Sequence, residues 1–140
     1  MSFRLEVEMI RVAHELDLLT TPYAFDPEES RWLADAGADI VVAHMNTTMR
    51  GMIGVASAPS LDEAVERVQA IADAAYAVNP EVLVLCHGGP IAEAEDAQYV
   101  LDRTVGVVGF YGASSMERLP VETAITETVR GFKKLSFTPR

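Results

Sequence analysis

Val82-Leu83-Val84-Leu85-Cys86-His87-Gly88-Gly89-Pro90 is the stretch from which the fold can be read. Four apolar residues in a row do not describe a strand with one wet face, where apolar and polar residues alternate. They describe a strand covered on both sides, as in a parallel sheet packed with helices. The run stops at Cys86-His87 and passes into two glycines and a proline, a turn signal. In parallel α/β folds, ligands bind just beyond the C-terminal ends of the strands. The stretch therefore indicates an architecture and also the first place to look for chemistry.

Working upstream, Asn79-Pro80 closes a helix that opens at the capping box Ser60-Leu61-Asp62-Glu63. Its apolar face is Leu61, Ala64, Val65, Val68, Ile71, Ala72 and Ala75. Residues 39–43 carry Ile40, Val41 and Val42, a second buried strand. Before it, Asp26-Pro27-Glu28-Glu29 starts a helix that Gly37 ends. Residues 19–25 read as a short strand, and residues 4–17 as an amphipathic helix with Leu5, Met9, Val12, Ala13 and Leu16 on one face. Downstream, a helix is expected over 92–102 and a strand over 105–111, running into Gly112-Ala113-Ser114-Ser115. Pro120 starts a last helix with Val121, Ala124, Ile125, Val129 and Phe132 on one face. The order is a leading helix and then four βα units in a single domain over 1–140. This is an α/β protein with parallel strands, either a small doubly wound sheet or half of a (β/α)₈ barrel.

The formal charge of −10 comes without any Lys/Arg cluster. That argues against nucleic acid or an anionic membrane as partner, yet leaves room for a small anion held by local N–H groups. Cys86 is the one cysteine, so no intrachain disulfide forms and a reducing cytoplasm is expected. No run approaches the roughly 20 apolar residues of a membrane span.

The candidate site follows from the strand ends. His44, His87-Gly88-Gly89 and Gly112-Ala113-Ser114-Ser115 all lie there. In barrels, a phosphate site is common at the loops after the last two strands, beside a short extra helix. Residues 114–119, cut off by Pro120, are a candidate for that helix, and Arg118 for the full positive charge. The plainer reading makes the glycines simple turns, His44 and His87 structural, His14 a surface residue and Cys86 a small core residue. The long connection from Met45 to Pro59 suits a lid, with Arg50, Gly51 and Gly54 as a clamp. It suits a subunit contact through Met45, Met49 and Met52 equally well.

Five segments carry a wider likeness: residues 5–10, 19–23, 36–39, 85–92 and 109–120, the last reading Gly-Phe-Tyr-Gly-Ala-Ser-Ser-Met-Glu-Arg-Leu-Pro. Together they resemble the phosphoenolpyruvate hydrolase-like TIM-barrel family, whose members are also described as TIM-barrel signal transduction proteins or phosphonopyruvate hydrolases. The likeness runs from about Leu5 to Leu135 and matches the family's second half. It implies the C-terminal half of a (β/α)₈ barrel, since a whole barrel needs roughly 250 residues. The segment 45–50 departs from the Gly-rich lid usual in the family.

The resemblance implies a small phospho- or phosphonocarboxylate as ligand. In a hydrolase of that kind, His87 and Glu117 are the acid/base candidates and His44 orients substrate. Gly88, Gly89, Gly112, Ser114, Ser115 and Arg118 hold the anion. Glu117 beside Arg118 serves equally as a structural ion pair. Such substrates admit a divalent metal such as Mg, but the sequence shows no ligand set. The alternatives are a non-catalytic ligand-binding signalling module and a fragment inactive without an N-terminal half-barrel. Half a barrel leaves sheet edges and an apolar face uncovered. A homo-oligomer, or pairing with a complementary half-barrel, is therefore expected.

Overall fold

The computed structural model describes residues 2–46 and 59–135. The elements in chain order are α1 (Phe3–Glu15), β1 (Tyr23–Ala24), α2 (Pro27–Asp35), β2 (Ile40–His44) and α3 (Leu61–Tyr76). They continue with β3 (Leu83–His87), α4 (Ala94–Leu101), β4 (Val107–Phe110), α5 (Ser114–Glu117) and α6 (Leu119–Lys133). Arg50, Gly51, Gly54, Met49 and Met52 of the expected lid lie outside the described residues.

Local chemistry sets the element ends. The Asp26 side chain accepts hydrogen bonds from the Glu28 and Glu29 amides, both at 2.9 Å, with Pro27 at the first helical position of α2. The Ser60 capping box closes in both directions: the Glu63 amide donates to Ser60 Oγ and the Ser60 amide to Glu63 Oε2. Helix α4 starts two residues later than the expected 92. Asp96 Oδ2 takes the amides of Ala92 and Glu93 at 3.1 and 3.0 Å and holds both residues outside the helix. Strand β1 is shorter than the expected 19–25. Pro22 has no N–H to give a neighbour, and the Thr20 amide and hydroxyl both donate to Asp39 Oδ2, at 2.8 and 2.9 Å.

The four strands form one parallel sheet in the order β1-β2-β3-β4. Residues Ala24, Val41, Ala43, Val84, Cys86 and Val107 point from it into a core that also contains Leu33, Val68, Ile71 and Val100 from the helices. The Ser30 hydroxyl, fully buried between α2 and α3, donates to Ile71 O at 2.8 Å. Strand order that follows chain order, with the helices packed on one face, is the winding of a barrel wall. A doubly wound sheet would place helices on both faces. Register puts Tyr23, Val42, Leu85, His44 and His87 together on the opposite, concave face, since Tyr23 pairs with Val42, Val42 with Leu85 and His44 with His87. There Leu83 is 47% exposed. A register shift at Val84/Leu85 leaves Val108 without a partner, and it too is exposed.

The terminal helices differ from their expected packing. Helix α1 touches the core through Phe3, Val7 and Ile10, with the Phe3 ring 5.9 Å from that of Trp32. The longer stripe Leu5, Met9, Val12 and Leu16 faces outward. Helix α6 buries no residue, and Val121, Ile125, Val129 and Phe132 are all exposed. No helix among the described residues is long and apolar enough to cross a membrane.

Candidate functional site

His44 and His87 close adjacent strands at matched register, so both rings stand at the C-terminal pole of the concave face. Their centroids are 4.7 Å apart in an edge-to-face arrangement of 74°. Tyr23 lies 4.7 Å from His44 and 5.4 Å from His87, and Phe25 lies 4.8 Å from His44. Tyr111, just past β4, stands edge-on to both Tyr23 and His87. The Tyr111 hydroxyl is 3.4 Å from Thr21 Oγ1 and so reaches from beyond one edge strand toward the other. The two histidines therefore sit in an aromatic box.

Hydrogen bonds assign the imidazole protons. His87 Nδ1 lies 2.5 Å from the Tyr111 carbonyl oxygen, which can only accept, so Nδ1 carries the hydrogen and Nε2 keeps a lone pair. His44 Nδ1 accepts the Asn46 N–H at 3.0 Å, so its hydrogen is on Nε2. Burial among the rings, with His87 beside it, pushes His44 down to about 4. Burial also lowers His87, against the opposing pull of the Tyr111 carbonyl. At neutral pH the pair is uncharged: one nitrogen offers a proton and the other accepts one. Burial raises the Tyr23 phenol, helped by the neighbouring Tyr111.

The turn between β3 and α4 explains its glycines differently from the sequence expectation. Gly88 and Gly89 have φ of +74° and +59°. A Cβ on Gly88 would fall on the Asn46 carbonyl oxygen, and one on Gly89 on that of Met45. The Gly89 N–H donates to Asn46 O at 2.8 Å, and the Met45 N–H to His87 O at 2.8 Å. As an anion ligand Gly89 needs correction, because its amide already holds the β2 and β3 ends together. The turn's role is to lock the two histidines.

The rim after β4 lies beside this turn, because the Tyr111 N–H donates to Cys86 O at 2.9 Å. Ser114 starts the short helix α5 as expected. The amides of Met116 and Glu117 both donate to Ala113 O, which leaves those of Ser114 and Ser115 outside the helix's own bonding. The Met116 side chain folds over Gly112. Ser115 borders a hollow of about 720 Å³ between α4, α5 and α6, which neither histidine lines. Arg118 pairs with Glu122 at 2.9 Å. Glu117 is exposed on α5, and among the described residues the rings beside His87 are those of His44, Tyr23, Tyr111 and Phe110. Arg67 donates to the Phe25 carbonyl at 3.4 Å and so stands at the same pole. Cys86 is buried and its thiol is pushed up to about 11, in keeping with a core residue. His14 is exposed.

A divalent metal does not fit the pair. His87 Nε2 is available as a ligand, whereas His44 keeps its proton on the corresponding nitrogen. Among the described residues no three His, Cys, Asp or Glu side chains form a metal-holding group.

The sequence profile of the phosphoenolpyruvate hydrolase-like family matches residues 1–135. The chain belongs to the phosphoenolpyruvate hydrolase-like family. Two tomato (Solanum lycopersicum) proteins, the ToMV susceptible protein tm-1(GCR26) and the ToMV resistance protein Tm-1(GCR237), are each 62% identical to it over 136 residues. The match takes in 97% of this chain and 18% of each tomato protein, so the chain spans less than a fifth of those relatives. Among solved structures, a candidate phosphonomutase from Burkholderia cenocepacia superposes with a TM-score of 0.56 at 17% identity, covering 79% of this chain and 51% of that one. The N-acetylmannosamine-6-phosphate 2-epimerase of Clostridium perfringens gives 0.53 at 17% identity, covering 90% and 48%. This phosphoenolpyruvate hydrolase-like chain therefore has the fold of half a barrel.

Proposed function

We propose that the chain is the C-terminal half of a barrel that binds a small phospho- or phosphonocarboxylate at the C-terminal pole and hydrolyses it. The reading rests on the family and on one observation: His44, His87 and the start of α5 share that pole, with His87 Nε2 left as an uncharged base. In this reading His87 takes a proton from the attacking water and His44 donates to the ligand through Nε2. Ser114, two residues after Gly112, faces the anionic end, with Gly88 on the turn that carries His87. Arg118 and Arg67 supply charge at the rim, and Glu117 stands outside the proton path. A complementary half-barrel that closes the sheet is part of the same reading.

Inorganic phosphate released from phosphoenolpyruvate or phosphonopyruvate is the test. Release proportional to protein, lost in His87→Gln, is expected. No release from either compound sinks the hydrolase. A second reading, a ligand-binding module without turnover, is favoured by the Arg118–Glu122 pair, which already engages the cation next to α5. Calorimetric binding of phosphonopyruvate without phosphate release would be its signature.

A further inference from the structure

Helices α4 and α6 follow neighbouring strands, and such helices pack side by side in the outer ring of a barrel. Here they stay apart: α6 rests chiefly on α5 and buries no residue. The gap between them is the hollow of about 720 Å³, the size of a site for a small organic molecule. Ala97 and Leu101 of α4, Phe110 of β4, Met116 of α5, and Leu119 and Ala124 of α6 give it an apolar lining. The unbranched Met116 adapts to whatever shape lies against it.

The polar groups at the same hollow all favour one sign of charge. Glu93, ahead of α4, and Glu127, on α6, bring two carboxylates from separate elements. None of the described residues that line the hollow is Lys or Arg. The start of α4 offers an anion little, because the amides of Ala92 and Glu93 already donate to Asp96. Gln98 donates its amide N–H to Asp102 at 2.6 Å, which leaves its carbonyl oxygen as an acceptor. We propose that this hollow binds an organic cation with an apolar body, an alkyl or aryl amine. The hydrocarbon lies against the apolar lining, and the ammonium N–H groups meet the carboxylates. The site lends no residue to the proposed hydrolysis, so either can fail without the other.

The test is calorimetric titration of the full 140-residue chain with octylammonium, octanoate and plain ammonium. Saturable one-to-one binding of octylammonium is expected, with octanoate about tenfold weaker or more and ammonium silent. Ala124→Trp places a ring in the hollow and should weaken octylammonium about tenfold or more. Glu127→Lys should weaken it about fivefold, the weight of an exposed charge pair; it carries the test if circular dichroism shows that Ala124→Trp unfolds. Met9→Ser and Ile125→Ser, on the outward stripes of α1 and α6, should leave the affinity within about twofold. No saturable binding of octylammonium, equal binding of octanoate, or binding that survives both Ala124→Trp and Glu127→Lys would overturn the proposal. So would a chain that ignores octylammonium and loses its self-association in Ala124→Trp, because the hollow would then belong to a second copy.

Discussion

The protonation of His44 is tied to folding. An unfolded chain protonates this imidazole near its ordinary 6.5, and the folded chain only near 4. As pH falls through that window the unfolded state binds more protons, so stability declines, and below about 4 the group contributes no further loss. The full shift corresponds to about 3 kcal/mol, and partial contact with water reduces this to about 1–2 kcal/mol. Urea denaturation from pH 7 to 4 should show the decline, and His44→Gln, which does not titrate, should flatten it; an equally steep profile in the variant would contradict the assignment. Gly89 makes the opposite kind of demand, because its left-handed backbone and the Met45 carbonyl leave no place for a methyl group. Gly89→Ala should cost about 2 kcal/mol or more. Gly131→Ala, in the last turn of α6 with nothing within 4 Å, should gain up to about 1 kcal/mol. Urea midpoints of the two variants shifting in the same direction would refute this contrast. The histidines could be picked out from the sequence because each ends an apolar run. Tyr23 and Tyr111 could not, since an aromatic residue at a strand end reads as core until register shows which neighbours it meets.

Helices show the same division between local and distant information. The Ser60 capping box, the Asp26-Pro27 start and the apolar face of α3 were legible because their chemistry spans three or four residues. The direction in which α1 and α6 face was not. Their periodicity announces an apolar side without saying what covers it, and in this chain the stripe Leu5, Met9, Val12 and Leu16 faces away from the core. Substitution should separate these cases. Ile71→Ala in α3, buried in the core, should cost about 2–5 kcal/mol. Met9→Ser, at a site 56% exposed, should stay within about 0.5 kcal/mol. Denaturation at low protein concentration, where association does not contribute, distinguishes them. A large loss in Met9→Ser would mean that α1 packs through its stripe after all. The start of β1 depended on a partner 19 residues away, because Thr20 binds Asp39 rather than continuing a strand, and no local pattern announces such a pair.

Seen whole, the described residues form a barrel wall with no further strand among them paired at either end. Strands β1 and β4 are sheet edges, Leu83 and Val108 of the sheet are exposed, and each terminal helix turns an apolar stripe outward. Uncovered apolar surface of this extent favours association. Helix counting indicates what form it takes. A closed eight-stranded barrel has one helix groove per pair of adjacent strands, hence eight. Two copies of this chain bring eight strands but ten long helices, because α1 precedes the first strand and α6 follows the last. The two copies would compete for the grooves at both seams. A partner with four strands and three helices between them fills the ring without surplus. Sedimentation at micromolar concentration should therefore find the 15.2 kDa chain in associated form. Met9→Glu or Ile125→Glu should shift it toward monomer, and a four-strand, three-helix half-barrel added in trans should replace self-association with a one-to-one complex. A monodisperse monomer in the unmodified chain would remove the premise. A compact dimer that ignores both substitutions would show that the stripes on α1 and α6 are not the seam.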